Sequence, residues 1–109
     1  MYKVRGTNIT LTRGDDLFVQ LMLTKGGEAY TPAAGDVIRF AMKMSCYDDE
    51  LLVRKVIPND TLILHLEPED TKDLRFGAYA YDLEITFADS GIVNTFIADA
   101  KLEIAPEVI

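Results

Sequence analysis

The sequence has no tryptophan, one cysteine and one histidine in 109 residues. With Cys46 alone, an intramolecular disulfide is impossible and a zinc site has at most one thiolate ligand. The residues that follow it, Tyr47-Asp48-Asp49-Glu50, carry three carboxylates. These oppose the lowered pKa a nucleophilic thiol needs, so an inert cysteine is expected. His65 has neither a second histidine nor a nucleophile near it in sequence, which favours a surface or interface role over a catalytic one. Long apolar runs are missing as well. No stretch approaches the ~20 apolar residues that span a bilayer, and MYKVRGTNIT lacks a signal-like core, so a soluble, unexported chain without a membrane partner is expected. Lys and Arg number 11 against 18 Asp and Glu, a net charge of −7. Phosphate-backbone binding depends on basic side chains displacing counterions, so nucleic acid is not an expected partner.

What remains is an ordinary globular composition, 49% hydrophobic and 27% charged. Residues 1–109 are expected to form one domain, long enough to bury roughly two-thirds of the unfolded surface around a single core. Its organisation comes from period-two alternation. In GAYAYDLEITF, Tyr79, Tyr81, Leu83, Ile85 and Phe87 share one face. Residues 16–23 align Leu17, Val19, Leu21 and Leu23. Residues 36–44 align Ile38, Phe40, Met42 and Met44, and TLILHLE aligns Leu62, Leu64 and Leu66. Further short strands are expected at 7–12, 51–57 and 92–98 and in the tail AKLEIAPEVI, where alternation continues through Ala100, Leu102 and Ile104 until Pro106.

Turns punctuate the runs at Thr24-Lys25-Gly26-Gly27-Glu28, at Pro58-Asn59-Asp60 and at Ala88-Asp89-Ser90-Gly91. Seven or eight short strands without a long helix predict an all-β fold, an immunoglobulin-like antiparallel β-sandwich. The acidic stretch LEPEDTKDLRFGAYAYDL fits this frame. Pro68 sets a turn, residues 69–74 have the composition of one helical turn with carboxylates near its positive end, and Leu74 packs inward. Gly77 allows an unusual backbone angle at the corner. Tyr79 then enters its strand with a hydroxyl placed to bond an upstream backbone group, the logic of a tyrosine corner. Tyr81 stands two residues later, where antibody domains have a strand cysteine, as an aromatic filler of the core.

Acidic clusters at Asp15-Asp16 and Asp48-Asp49-Glu50 are the candidates for calcium, but neither has the spacing of a calcium loop, and solvated loop charges are expected instead. No cofactor and no metal are expected. Carboxylate pairs can be picked out of any chain with 18 acidic residues, so they carry little weight as a hydrolase signal, and the chain is expected not to be an enzyme.

Alternation turns Phe18 and Met22 away from the inward leucines, and turns Ile63 and His65 away from Leu64 and Leu66. In an immunoglobulin-like order the strands carrying them share a sheet. Phe18, Met22, Ile63 and His65 are therefore the candidate interface, with Gly77, Tyr79 and Tyr81 as the structural corner.

A wider pattern runs along the chain. Ile9-Thr10-Leu11-Thr12-Arg13-Gly14-Asp15 is followed by Gly35-Asp36-Val37-Ile38-Arg39-Phe40. Then come Leu66, Pro68, Asp70, Thr71, Leu74, Gly77, Tyr79 and Tyr81-Asp82-Leu83, and last Gly91-Ile92-Val93-Asn94-Thr95. In order and spacing this resembles the N-terminal immunoglobulin-like domain of phage baseplate upper proteins and related small tail modules of phages and prophages of Gram-positive bacteria. The resemblance implies a structural piece of the tail-tip apparatus. Its partners would be other phage tail or baseplate proteins or further copies of itself, and its location the bacterial cytoplasm during assembly and then the virion tail. The chain ends at Ile109, where a full baseplate upper protein continues into a region used for trimerisation and for holding receptor-binding proteins. The rival reading is a carbohydrate-binding or host-surface adhesion sandwich. Sugar platforms need exposed Trp or Tyr, and here only Tyr2, Tyr30 and Tyr47 fall at loops or ends.

Overall fold

A computed structural model describes residues 2–107. Among these, ten strands and one helical turn follow one another: β1 (Tyr2–Arg5), β2 (Asn8–Thr12), β3 (Leu17–Gln20), β4 (Thr24–Lys25), β5 (Glu28–Ala29), β6 (Val37–Lys43), β7 (Val53–Ile57), β8 (Ile63–Leu66), α1 (Pro68–Thr71), β9 (Gly77–Thr86) and β10 (Val93–Ala105). The all-β sandwich expected from alternation is the observed fold. A six-stranded sheet runs β1-β2-β10-β9-β6-β7, β3 pairs with β8 in a second sheet, and β4 and β5 form a small hairpin. Leu17, Leu64 and Leu66 of the small sheet join Ile38, Phe40, Tyr79, Tyr81, Leu83 and Leu102 of the large one in a single core.

Several details differ from the expectation. The strand count is ten rather than seven or eight, and one pair is parallel: β10 runs alongside β2, with Leu102 opposite Ile9 and Ile104 opposite Leu11. Alternation reports which face a residue occupies but not the direction of the neighbouring strand, so this pairing is invisible to it. The strand expected over 7–12 is β2 and begins at Asn8, because Gly6-Thr7 form the turn of a β1–β2 hairpin, with Gly6 at φ +61°. A positive φ at the first central position is what two-residue hairpin turns require. Residues 92–98 and the tail are one continuous strand, β10, interrupted by register shifts between Thr95 and Ile97 and between Ile97 and Ala100. Met44 lies past the end of β6 and is 52% exposed, so it leaves the inward row of Ile38, Phe40 and Met42. Leu62 lies outside β8 with φ +54°.

The acidic stretch resolves into a turn and a corner. Pro68 opens α1, which spans Pro68–Thr71 rather than 69–74. Asp70 accepts a hydrogen bond from the Glu67 amide at 2.7 Å and takes Lys55 Nζ at 2.8 Å. Thr71 is fully buried, and its Oγ1 accepts from the Gly14 amide at 3.0 Å, tying the turn to the loop after β2. Leu74 packs against the core as expected. Gly77 begins β9 at φ +133°, a backbone angle closed to other L-residues without strain. Tyr79 is buried, and its hydroxyl donates to the Arg75 carbonyl at 2.6 Å, closing the corner.

This bond sets a measurable contribution. Tyr79→Phe keeps the ring and leaves the Arg75 carbonyl without its donor, so urea unfolding should show a loss of about 1 kcal/mol with an unchanged slope. An unchanged midpoint would mean that the hydroxyl does not hold the corner.

Candidate functional site

The small sheet carries an exposed aromatic ring stacked on a histidine. β3 and β8 pair antiparallel, with Leu17 opposite Leu66, Phe18 opposite His65, Val19 opposite Leu64 and Gln20 opposite Ile63. Period two then sends Leu17, Leu64 and Leu66 into the core and Phe18 and His65 outward. The Leu21 amide donates to the Leu62 carbonyl at 2.8 Å in the same register, which makes Phe18–His65 a non-hydrogen-bonded pair. Side chains approach most closely at such pairs. The two rings are stacked, with centroids 4.2 Å apart and planes 14° from parallel. Asp16 Oδ1 lies 2.9 Å from His65 Nε2 and fixes the imidazole from the end of the strand.

The other expected interface residues sit around this pair. Ile63 is half-buried at the far end of β8, and Met22 lies beyond β3 with 91% of its surface exposed. Phe18 and Met22 are four residues apart in sequence, roughly 13 Å along an extended chain. Gln20 intervenes on the same face, its Nε2 donating to the Thr61 carbonyl at 2.9 Å. The structure therefore brings Phe18 and His65 together, sets Ile63 on the flank, and leaves Met22 apart.

The acidic candidates do not converge. Among the described residues, no group of three His, Cys, Asp or Glu side chains is placed to hold a metal ion. Asp48, Asp49 and Glu50 lie exposed in the loop between β6 and β7. Cys46 is exposed in that loop, and its thiol is pushed up, first by partial desolvation and then by the Asp99 carboxylate. The neighbouring carboxylates expected to act on it are not the source; Asp99 and Asp82 come from distant strands.

Sequence reasoning missed one polar centre. Asp36 is 6% exposed. Its carboxylate accepts from the Ala88 amide at 2.8 Å, the Tyr30 hydroxyl at 2.6 Å and the Ala33 amide at 2.9 Å. These donors hold its pKa below the ordinary carboxylate value, the Ala88 amide most of all, while the carboxylate raises Tyr30. The network closes one end of the sandwich and is structural. Gly35-Asp36 fell only within the longer pattern from Ile9 to Thr95; no local spacing points to the three donors.

A groove of about 600 Å³ opens along the free side of β3, lined by Val4, Val19, Leu21, Leu23, Phe96 and Ile97 among others. Its existence follows from unequal sheets: six strands face two, so inward residues near β1 and the first half of β10 lack a covering strand. Tyr2 and Val4 show this directly. They pair with the buried Leu11 and Ile9, on the core-facing side of the large sheet, yet are 40% and 44% exposed.

The fold and this face define an all-β sandwich with a stacked Phe–His pair on its smaller sheet. No family model, no curated protein and no solved structure matches the chain.

Proposed function

We propose that the chain is a non-enzymatic assembly module of a phage or prophage tail-tip (baseplate) apparatus, acting through protein–protein contacts. The observation that carries this reading is the outward Phe18–His65 stack, with Phe18 50% exposed on a regular sheet face. A flat strand pair with an aromatic at its centre offers a partner an apolar anchor ringed by polar groups, here Asp16 and Gln20. The ordered framework from Ile9 to Thr95 supplies the tail-tip context. On this reading the partners are other tail or baseplate proteins, and the module is assembled in the bacterial cytoplasm and carried in the virion tail. For the sugar-binding rival, the three candidate tyrosines are dispersed: Tyr47 is in the β6–β7 loop, Tyr2 in β1, and Tyr30 is engaged by Asp36.

The test is co-expression of the tagged chain with the products of the genes flanking its own. Phe18→Glu should leave the melting temperature within about 2 °C, as surface substitutions do, and cut capture of a tail protein at least tenfold. Equal capture by the variant would remove this face from the reading. Reproducible binding to host-wall glycans without any tail-protein capture would favour the rival.

A further inference from the structure

We propose that the free edge of β3 pairs antiparallel with the same edge of a second copy, across a two-fold axis at Gln20. Two β3–β8 sheets would thereby become one four-stranded sheet. Among the described residues β3 pairs with β8 alone, so its other edge is open. Leu21 bonds toward Leu62 and Leu23 accepts from Tyr30. The alternate groups, the N–H and C=O of Phe18, Gln20 and Met22, therefore face the open side.

An open edge invites pairing, and proteins blunt such edges with charge, proline or bulges. The outer edges of the large sheet are blunted in those ways: β1 carries Lys3 and Arg5, and β7 carries Arg54 and Lys55. The uncovered half of β10 is broken by two register shifts, with Asp99 at φ +50°. The run beside β3 has none of these devices. Residues 17–23 read LFVQLML, without charge, proline or glycine. Uncharged runs of this length are the strongest strand-pairing segments.

The sequence also specifies the occupant. With the axis at Gln20, Phe18 lies opposite Met22 of the partner and Gln20 opposite Gln20, so the groups on the open side meet their own kind in hydrogen-bonded pairs. On the inner face, Val19 meets Leu21 and Leu17 meets Leu23, covering part of the apolar groove. Beyond the run, Asp15-Asp16 come opposite Thr24-Lys25, so opposite charges close both ends of the pairing. No offset by one residue keeps these matches, because it would set open-side groups against groups already bonded. The pairing also gives the exposed Met22 a direct apolar neighbour in Phe18 of the second copy.

A dimer of this kind carries two Phe18–His65 stacks on one continuous face, so each weak contact would be doubled. In that use it rests on the assembly reading; the pairing itself does not. Sedimentation of the wild-type chain at micromolar concentrations should show a monomer–dimer equilibrium. Gln20→Pro removes an open-side N–H, at a position where an edge strand tolerates proline, together with the side-chain bond to the Thr61 carbonyl, and should weaken dimerisation at least tenfold. Met22→Lys, a charge on the same edge, should do likewise and serves if the proline variant misfolds. In a Cys46→Ser background, Gln20→Cys should form a disulfide dimer with diamide, because directly paired Cα atoms stand about 5.5 Å apart, within disulfide reach. Val56→Cys, exposed on β7, should not. A strictly monomeric wild type, a dimer indifferent to both edge variants, or equal cross-linking at residues 20 and 56 would overturn the pairing. Tail-protein capture is scored separately: a dimer that captures nothing sinks the assembly reading alone, and capture by a strict monomer sinks the pairing alone.

Discussion

Tyr81→Ala is expected to lower the unfolding free energy by about 3 to 5 kcal/mol, the range for truncating a large buried aromatic. The side chain is 4% exposed, its ring lies 5.4 Å from that of Phe40, and its hydroxyl donates to the Thr7 carbonyl in the β1–β2 turn. Truncation therefore opens a cavity between the sheets and also removes the bond that ties the β1–β2 turn to β9. A domain of this size has about 5 to 15 kcal/mol in total, and each kcal/mol moves the melting point by about 4 to 8 °C. A fall of well over ten degrees is expected. Tyr81→Phe, which keeps the ring, should lose only about 1 kcal/mol. A Tyr81→Ala variant melting within two degrees of wild type would show that β9 does not present this face to the core.

Removing the Asp36 carboxylate is the second large effect. Asp36→Ala leaves the Ala33 and Ala88 amides and the Tyr30 hydroxyl without their shared acceptor, and the melting point at neutral pH should drop by roughly ten degrees. The pH dependence has a definite sign. A carboxylate whose folded pKa is depressed stabilises fully above its unfolded value, about 3.9, and that stability is lost as pH falls through the folded pKa. The Ala88 amide, then Tyr30 and Ala33, depress Asp36 in this way. The gap between wild type and Asp36→Ala should thus be widest above pH 5 and should narrow steadily below pH 4. Glu107, lowered by its hydrogen bond from Arg13, acts in the same direction, so the titration belongs in a Glu107→Gln background. A gap that stayed constant down to pH 2 would contradict the charged network.

The sequence was most legible where one face of a strand is buried. Phe40, Tyr81, Leu83 and Ile85 follow the alternation because a half-buried strand leaves no other arrangement, and the Tyr79 hydroxyl finds Arg75 because the corner is local in sequence. The placing of β3 and β8 in one sheet came from fold order, and the Phe18–His65 stack follows from their register. Legibility failed where the physics is non-local or the signal short. β1 has four residues, all exposed, and among the described residues it pairs with β2 alone. Met44 kept the inward parity but lies past the last ladder position of β6, so its parity places it nowhere. Asp36 gathers donors from residues 30, 33 and 88, and the last of these is brought near only by the fold. The groove was hidden for the same reason. It arises from the unequal widths of the two sheets, a property of pairing and not of any segment.

Hydrogen–deuterium exchange of the chain bound to a captured tail protein, compared with the free chain diluted until it is monomeric, locates the contact. Added protection is expected over residues 17–23 and β8, with the loops at 45–52 and 88–92 unchanged. Protection confined to those loops, with β3 and β8 exchanging as in the free chain, would contradict that placement.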